Sequence, residues 1–160
     1  MKALFCHDGP TYIDEKKQYF ACVLTDELID RYFEICNEFT LLNRLRKVDS
    51  VKGLEKLNHN NVSIVEIPNL ATLKGILFDS KKAKKIIQEE VKKSDFVISR
   101  LPGFAGTYGI KYAKKYNKPY FVEVVGCPLD ALSSHSFKGK LIAPIMYLST
   151  KKSLKNSKYS

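Results

Sequence analysis

Short apolar runs that end at glycine or proline alternate along this chain with segments of helical spacing. The clearest run is Tyr120–Val125 (YFVEVV), which is rich in β-branched and aromatic residues and stops at Gly126 and Pro128. A strand buried on both faces of a parallel sheet has this composition. Ligands of open α/β sheets bind at the edge where such strands end. The run therefore predicts both a fold and the place of a site.

The same pattern predicts alternating strands and helices along the rest of the chain. The predicted strands are Lys2–Cys6, ended by Gly9-Pro10, then Phe39–Leu45, Val62–Ile67, Phe96–Leu101 and Tyr120–Val125. The predicted helices are Thr25–Cys36 with Thr25 as N-cap, Leu70–Lys93 as one helix or as two broken near Asp79-Ser80, Ala105–Asn117, and Lys140–Lys155, which begins near Pro144 or is kinked there. Tyr12–Leu24 stays open between strand and loop. This order favours an α/β fold, a Rossmann-like parallel sheet with helices on both faces.

Length and composition predict one soluble domain. The 160 residues are 44% hydrophobic and 28% charged, which is typical of globular proteins. No apolar run approaches the roughly 20 residues that span a bilayer, and the apolar part of the opening MKALFCHDGP is too short for a signal peptide. We therefore expect a cytoplasmic protein. Because the chain stops after a helix, where the pattern calls for another strand, we expect Ser160 to be a cut end of a single Rossmann-like domain, residues 1–160.

Common cofactor motifs do not occur in the sequence. Only HDGPT follows the first strand, without GxGxxG, and there is no Walker A sequence, which argues against NAD or ATP bound in the usual manner. The four cysteines, at positions 6, 22, 36 and 127, form no CxxC pair. Zinc and redox sites need such close pairs, so we expect no metal and mostly buried, reduced thiols.

Positive charge is concentrated in the second part of the chain. The net charge is +10, and residues 101–160 contain ten lysines against two acids, whereas residues 1–100 contain 17 basic and 15 acidic side chains. A basic half suggests an anionic partner such as phosphate esters, nucleic acid or an acidic membrane surface. The alternative is that the lysines only solubilise helix faces. We expect no nucleic acid, because the aromatic residues fall in predicted strand cores rather than on a stacking surface.

Polar side chains stand where predicted strands end. His7 and Asp8 follow the first strand, Arg100 lies at the end of the fourth, and Asp130 and His135 follow the fifth. In a parallel sheet all these ends share one edge. An arginine suits a phosphate or carboxylate ligand, and an aspartate or histidine suits proton transfer from a hydroxyl group. The alternatives are cap and turn roles for the aspartates and a solvated loop for the histidines.

Two further features each allow a binding role and a packing role. Gly103, Gly106 and Gly109 lie between a predicted strand and a predicted helix, whose free N–H groups would suit a phosphate or a sugar hydroxyl. Close packing of that helix on the sheet is the alternative. Glu123 interrupts an apolar strand, so its carboxylate needs a partner. That partner is a substrate hydroxyl, Arg100 or a backbone N–H.

Three segments resemble the N-terminal domain of bacterial GT-B glycosyltransferases. They are RLPGFAG before a helix, then KPYFVEVVGCPLDALSSHS, and then FKGKLIAPIMYLSTKKSLK. The closest subgroup is the retaining, family 4-like kind of capsular and exopolysaccharide assembly. The likeness covers about residues 95–155. One departure is Cys127, which stands where many relatives have an acidic residue.

This resemblance implies the acceptor-binding half of a sugar-nucleotide-dependent transferase that acts on a cell-surface glycan precursor. The donor domain would lie beyond this chain and bind the nucleotide-sugar, so the chain would need no cofactor or metal and would be inactive alone. The resemblance makes Asp130 and His135 the catalytic candidates, and it makes acceptor ligands of His7, Asp8, Arg100, Gly103, Gly106 and Glu123. A polyprenyl-diphosphate-linked acceptor would bring the basic half to the anionic inner face of the plasma membrane.

A second hypothesis is a non-catalytic role. The chain would then be a Rossmann-like subunit that binds a lipid-linked or nucleotide ligand and pairs with a separate catalytic chain. A Rossmann-like fold alone does not distinguish the two hypotheses, because it hosts many functions.

Overall fold

The computed structural model describes residues 1–70, 72, 74–127 and 137–155. Its strands are β1 Lys2–Ile13, β2 Tyr19–Ala21, β3 Glu38–Lys47, β4 Glu55–Lys56, β5 Val62–Glu66, β6 Phe96–Leu101 and β7 Tyr120–Val124. Its helices are α1 Asp26–Phe33, α2 Ser80–Lys93, α3 Phe104–Lys115 and α4 Phe137–Lys155, and a π-helical turn, Gly75–Asp79, directly precedes α2.

Five of the strands form a parallel sheet in the order β5-β3-β1-β6-β7. Counted along the chain, these parallel strands have the order 3-2-1-4-5 of Rossmann-like folds. The strand order reverses at β1, so the carboxyl ends of β1 and β6 flank the crevice where folds of this kind bind ligands. The predicted Rossmann-like α/β class is confirmed.

The first strand extends further than the sequence predicts. Gly9-Pro10 does not end it, because β1 continues through these residues with a shift in register. Cys6 pairs with Leu42 and Pro10 pairs with Arg44, so four steps along β1 match two steps along β3. The intervening residues form a bulge, and a bulge tolerates proline because the regular ladder bond is interrupted there. Bulges occur frequently beside functional sites, where they redirect side chains.

The segment left open between strand and loop is partly strand. β2 pairs antiparallel with the end of β1, at Tyr12 with Phe20 and Ile13 with Tyr19, and β4 pairs antiparallel with β2. These two short strands extend the sheet beside the far half of β1, beyond the part that pairs with β6. Their pairing depends on the long β1, which is why the local pattern alone did not settle them.

Helices cover both faces of the sheet, as predicted. α1 packs one apolar cluster, in which Ile29 lies with Phe5 of β1. α2 and α3 pack the opposite cluster, in which Ile87 and Ala113 lie with Val97 of β6. The alternation of buried side chains along β1 and β6 therefore sends neighbouring residues to opposite helical layers.

The helical segments at positions 70–93 and 137–155 refine the prediction. Of the two alternatives for this segment, the structure shows helical backbone that continues across Asp79-Ser80, where the π-helical turn Gly75–Asp79 passes directly into α2. α4 begins at Phe137 rather than at Lys140 or Pro144, and Pro144 lies inside it. Among the described residues, no helix combines the length and apolarity needed to cross a bilayer.

Candidate functional site

The bulge of β1 places His7 and Asp8 at the carboxyl edge of the sheet. Because side chains alternate along a strand, the two neighbours serve opposite faces. The His7 ring lies edge-on to Phe5, with 6.3 Å between ring centroids, on the face that α1 covers. Gly9 makes room for this ring, since a Cβ at that position would overlap the imidazole. The sequence HDG therefore suits the bulge, because the glycine leaves space for the histidine ring.

His7 is an uncharged histidine at neutral pH. Burial is the main cause that lowers its pKa to about 4, and the positive charges of Arg100 and Arg44 lower it further. A neutral imidazole has one donor and one acceptor nitrogen. At this edge His7 is therefore suited to hydrogen-bonding a hydroxyl group, and an anion that settled between it and the arginines would favour its protonation.

Asp8 caps helix α3 from a distant part of the chain. Its Oδ2 accepts a hydrogen bond from the backbone N–H of Phe104 at 2.5 Å, and its Oδ1 accepts one from Ala105 at 2.8 Å. Burial raises the pKa of the Asp8 carboxyl, while these two N–H groups and the charge of Arg44 oppose the rise. The first N–H groups of α3 thus have a carboxylate of the chain itself as their partner.

The glycines of the GFAGTYG segment allow α3 to lie against the sheet. A Cβ at Gly103 would stand 2.7 Å from Asp8 Oδ2. A Cβ at Gly106 would overlap the carbonyl oxygen of Arg100, and one at Gly109 would stand 2.7 Å from Ser99 Oγ. Since side chains cannot fit at these distances, close packing accounts for the glycines. Their predicted acceptor role stays a prediction.

Arg100, Glu123 and Tyr32 form one network on the face covered by α1. Both Nε and Nη2 of Arg100 contact Glu123 Oε2, at 3.0 and 2.9 Å. The hydroxyl of Tyr32 donates to Glu123 Oε1, and burial together with this carboxylate raises the Tyr32 pKa. The guanidinium also lies over the Phe5 ring, 5.0 Å from its centroid. The network joins β6, β7 and α1 and supplies the partner that Glu123 needed.

Arg44 and Asn43 are site residues that the sequence analysis missed. Arg44 Nη1 donates to Asn69 Oδ1 at 3.1 Å, but its buried Nε has no hydrogen-bond partner in the described part of the chain. Asn43 donates to Thr11 Oγ1 at 2.6 Å, and its buried Oδ1 likewise has no partner among the described residues. Buried polar groups are nearly always paired. These two buried atoms therefore lack, among the described residues, the partner that such groups normally have.

The rule that selected Arg100 would also have found Arg44. Both arginines stand near the carboxyl end of a predicted strand, so the same rule applies to Arg44. Tyr32 had no such signal, because its helical spacing alone assigns it to the apolar face of α1. Its hydroxyl role depends on the approach of β7, which the local sequence does not reveal.

Six of the eight predicted site residues lie together at this carboxyl edge. They are His7, Asp8, Arg100, Gly103, Gly106 and Glu123. Asp130 and His135 lie outside the described residues. We call the five ionisable residues His7, Asp8, Arg44, Arg100 and Glu123 the edge cluster. Within it, Asp8 and Glu123 stabilise the fold, whereas His7 and Arg44 have polar atoms to offer a ligand.

Neither a metal centre nor a disulfide is formed by the described residues. No three His, Cys, Asp or Glu side chains among them are grouped to hold a metal ion. All four cysteines are free thiols; Cys6 and Cys36 are buried, as predicted, whereas Cys22 and Cys127 are exposed. Burial, and secondarily the charge of Asp8, raises the pKa of Cys6, so that thiol is not a nucleophile.

Comparison with known proteins finds one similar curated sequence. Protein CapJ of Staphylococcus aureus is 33% identical over 159 residues, which are 98% of this chain and 40% of CapJ. The chain thus spans less than half the length of that relative. No family model matches the chain. Among solved structures, the C-terminal domain of a Pyrococcus furiosus hydrogenase is 17% identical and covers 76% of this chain and 90% of that domain, with a TM-score of 0.34. Similarity at that level carries no argument about function.

Proposed function

We propose that this chain is the acceptor-binding domain of a glycosyltransferase that works in capsule formation. The bulge of β1 at the switch point of the sheet is the observation that carries the proposal, because it places a neutral His7 beside two guanidinium groups. The name of the relative CapJ supports the capsule-related part. The resemblance to GT-B transferases supports the reaction class.

In this proposal Arg44 and His7 contact the acceptor. The Arg44 guanidinium, whose Nε has no partner among the described residues, donates to a phosphate oxygen, because a guanidinium is well suited to that anion. The His7 imidazole orients an acceptor hydroxyl through a hydrogen bond. Arg100 contributes positive charge while its fork holds Glu123. The acceptor is then a glycan or sugar carried on a polyprenyl diphosphate.

The donor side lies elsewhere in the proposed enzyme. A nucleotide-sugar would be bound by a second domain that forms part of the full-length protein, and residues 1–160 alone would be inactive. Asp130 and His135 remain the proposed catalytic pair. The reaction would take place in the cytoplasm, at the inner face of the plasma membrane, without a metal.

Transfer of radiolabelled sugar tests this proposal. The full-length protein is incubated with a panel of nucleotide-sugars and a lipid extract from capsule-forming cells, and label in the lipid fraction is counted. We expect transfer from one donor and a loss of about tenfold or more for Arg44→Gln, as removal of one charged hydrogen bond to a substrate predicts. For His7→Gln, which removes a neutral imidazole, we expect a smaller loss of about fivefold. Lys52→Gln, on an exposed turn, is the matched control and keeps full activity. Transfer that is unaffected by both edge substitutions contradicts the assigned roles.

One observation favours a second candidate, the non-catalytic subunit. Both carboxylates of the edge cluster have internal partners, Asp8 at the start of α3 and Glu123 on Arg100 and Tyr32. Neither is free to act as a base. If the full-length protein binds the lipid-linked glycan but transfers no sugar from any donor until a second chain is added, this candidate replaces the first.

A further inference from the structure

Two neighbouring large apolar side chains are the most exposed of their kind in the described part of the chain, above pairs such as Val124 and Val125 at 50% and 59%. Leu77 and Phe78 are 74% and 75% exposed, the highest values among the large hydrophobic residues of the described chain. They are neighbours in the π-helical turn Gly75–Asp79. Scattered single apolar residues on a surface are normal. Two adjacent ones at the projecting start of a helix, here called the Leu77–Phe78 tip, need an explanation.

Exposed lysines surround this tip. Lys81, Lys82 and Lys85 of α2 lie three to eight positions after it, and Lys74 lies just before it, all on the exposed side. Residues at such spacings share one helix face. None of these four lysines forms an ion pair with a described residue.

The other end of the same helix is different. There Lys92 pairs with Glu89 at 3.2 Å and Lys93 pairs with Glu90 at 2.6 Å. In the sequence from position 67 to position 88, Asp79 is the one acidic residue. The positive charge of α2 is therefore balanced at its carboxyl end and unbalanced around the exposed apolar pair.

The tip is fixed to the fold rather than hanging from it. The backbone N–H of Gly75 donates to Thr72 Oγ1 at 3.1 Å, and that of Ile76 donates to the Thr72 carbonyl at 2.9 Å. Gly75 is buried, and a Cβ there would overlap the carbonyl oxygen of Asn69. Because Asn69 also accepts from Arg44, the tip is connected to the edge cluster. Both lie at the end of the domain where β5 stops.

We propose that the Leu77–Phe78 tip inserts into the interface of an anionic lipid bilayer while the four lysines bind its headgroups. Apolar side chains flanked by lysines are the usual composition of a peripheral anchor. An exposed leucine and phenylalanine together offer far less than the roughly 800 Å² per partner of a stable protein interface. Nucleic acid would use the lysines but gain no general advantage from the leucine.

This inference deepens the proposed function without needing transfer activity. A bilayer contact at the tip would bring the edge cluster close to the headgroup region, where a polyprenyl-diphosphate acceptor presents its phosphates. It assigns the membrane contact to the Leu77–Phe78 tip and its neighbouring lysines, not to the lysine-rich second half of the sequence.

Vesicle co-sedimentation of the full chain tests the anchor. We expect binding to phosphatidylcholine vesicles that contain phosphatidylglycerol, and little binding to phosphatidylcholine alone. The double variant Leu77→Gln/Phe78→Gln should lower the partition coefficient at least about tenfold, because it removes both apolar side chains that would insert into the bilayer. The triple variant Lys81→Gln/Lys82→Gln/Lys85→Gln should lower the partition coefficient about fivefold for each lysine removed, because each loses its attraction to the anionic headgroups.

Matched variants separate the tip from general surface properties. Val23→Gln/Ile35→Gln removes two exposed apolar residues elsewhere, and Lys47→Gln/Lys52→Gln/Lys56→Gln removes three exposed lysines elsewhere. Both should bind anionic vesicles as the parent does. Equal binding by the tip variants, or no binding to anionic vesicles, overturns the anchor. Tight duplex DNA binding that needs the α2 lysines but not Leu77 and Phe78 would also overturn it. None of these results depends on sugar transfer.

Discussion

Two carboxylates stand at the same edge of the sheet, on opposite faces, and the chain stabilises them differently. Asp8 is held by backbone N–H groups of Phe104 and Ala105, on the face covered by α3. Glu123 is held by the side chains of Arg100 and Tyr32, on the face covered by α1. The partners of Asp8 are therefore backbone dipoles, whereas Glu123 has the full opposite charge of Arg100 as a partner.

The difference explains why only one face remains adaptable. Backbone donors cannot move without moving α3, so the Asp8 side is a fixed structural joint. On the other face Arg100 contacts Glu123 and the Phe5 ring, and its positive charge also lowers the pKa of His7. A ligand near His7 therefore meets a network of side chains whose charges respond to it.

The largest effect should follow from Arg100→Met. It leaves the Glu123 carboxylate without its charged partner, and breaking a largely buried ion pair costs about 3 kcal/mol of the free energy of unfolding. Urea denaturation measures the loss. The double variant Arg100→Met/Glu123→Leu should be more stable than the single one, because it removes the unpaired charge. A single variant within about 0.5 kcal/mol of the parent would contradict the network.

The lowered pKa of His7 should make the free energy of unfolding depend on pH, with a change nearly as large as the loss expected for Arg100→Met. Its pKa is lowered from 6.5 to about 4, so the unfolded chain binds a proton in this interval that the folded chain does not. The contribution is present above pH 6.5 and is lost as pH falls towards 4, by up to about 3 kcal/mol. Denaturation at several pH values should show this slope in the stability difference between the parent and His7→Gln. A difference that does not change with pH would mean that the His7 pKa is not lowered in the folded protein.

Gly106→Ala should cost about 1–3 kcal/mol, the range for overpacking in a tight interior. Its Cβ meets the backbone carbonyl of Arg100, which cannot turn aside as a side chain would. Gly126→Ala is the control, because no atom of the described residues lies within 4 Å of a Cβ there. Thermal unfolding of the two variants should differ clearly. Equal melting temperatures would show that α3 does not lie so close to the sheet.

Asp8→Asn should change the free energy of unfolding least at neutral pH, by about 1 kcal/mol or less. Loss of one hydrogen bond from a backbone N–H destabilises the fold, while removal of a buried charge stabilises it. The effect of the Asp8 charge can be recognised from the pH dependence of stability. Since the folded pKa of Asp8 is raised above 3.8, its contribution is full below that value and is lost as pH rises through the folded pKa. The parent should therefore lose stability relative to the variant on raising pH from about 4. The opposite trend would mean that the amide donors outweigh burial.

Strands were predictable where their apolar composition is local. β5, β6 and β7 match the predicted runs within one residue. Of these only β6 is buried throughout, whereas β7, expected to be buried on both faces, is a half-buried edge strand that pairs with β6 alone among the described strands. The length of β1 was not predictable in this way. By local rules Gly9-Pro10 ends a strand, whereas here both residues lie in the bulge that β1 forms against β3. The short β2 and β4 depend on that extension. Tertiary pairing, and not propensity, decides these three strands.

The site was predictable where a polar residue ends a strand. That rule places His7, Asp8 and Arg100 correctly at one edge, and the need of a buried carboxylate for a partner identifies the Arg100–Glu123 pair. It does not reveal that Asp8 reaches the start of α3, since the two are about 96 positions apart in the chain. A separation of 91 positions likewise prevents the sequence from revealing the contact between Tyr32 and Glu123.

The NMR titration of the His7 imidazole tests most directly whether the edge cluster binds an anionic acceptor. The chain has three histidines, so the ring signals are few and His7→Gln assigns the one in question. We predict that His7 titrates near pH 4 in the free protein and at a clearly higher pH with a short polyprenyl diphosphate, whose negative charge favours the imidazolium. Inorganic phosphate at the same concentration is the control for a nonspecific anion effect. A His7 pKa that does not change with the diphosphate would contradict the proposed acceptor site.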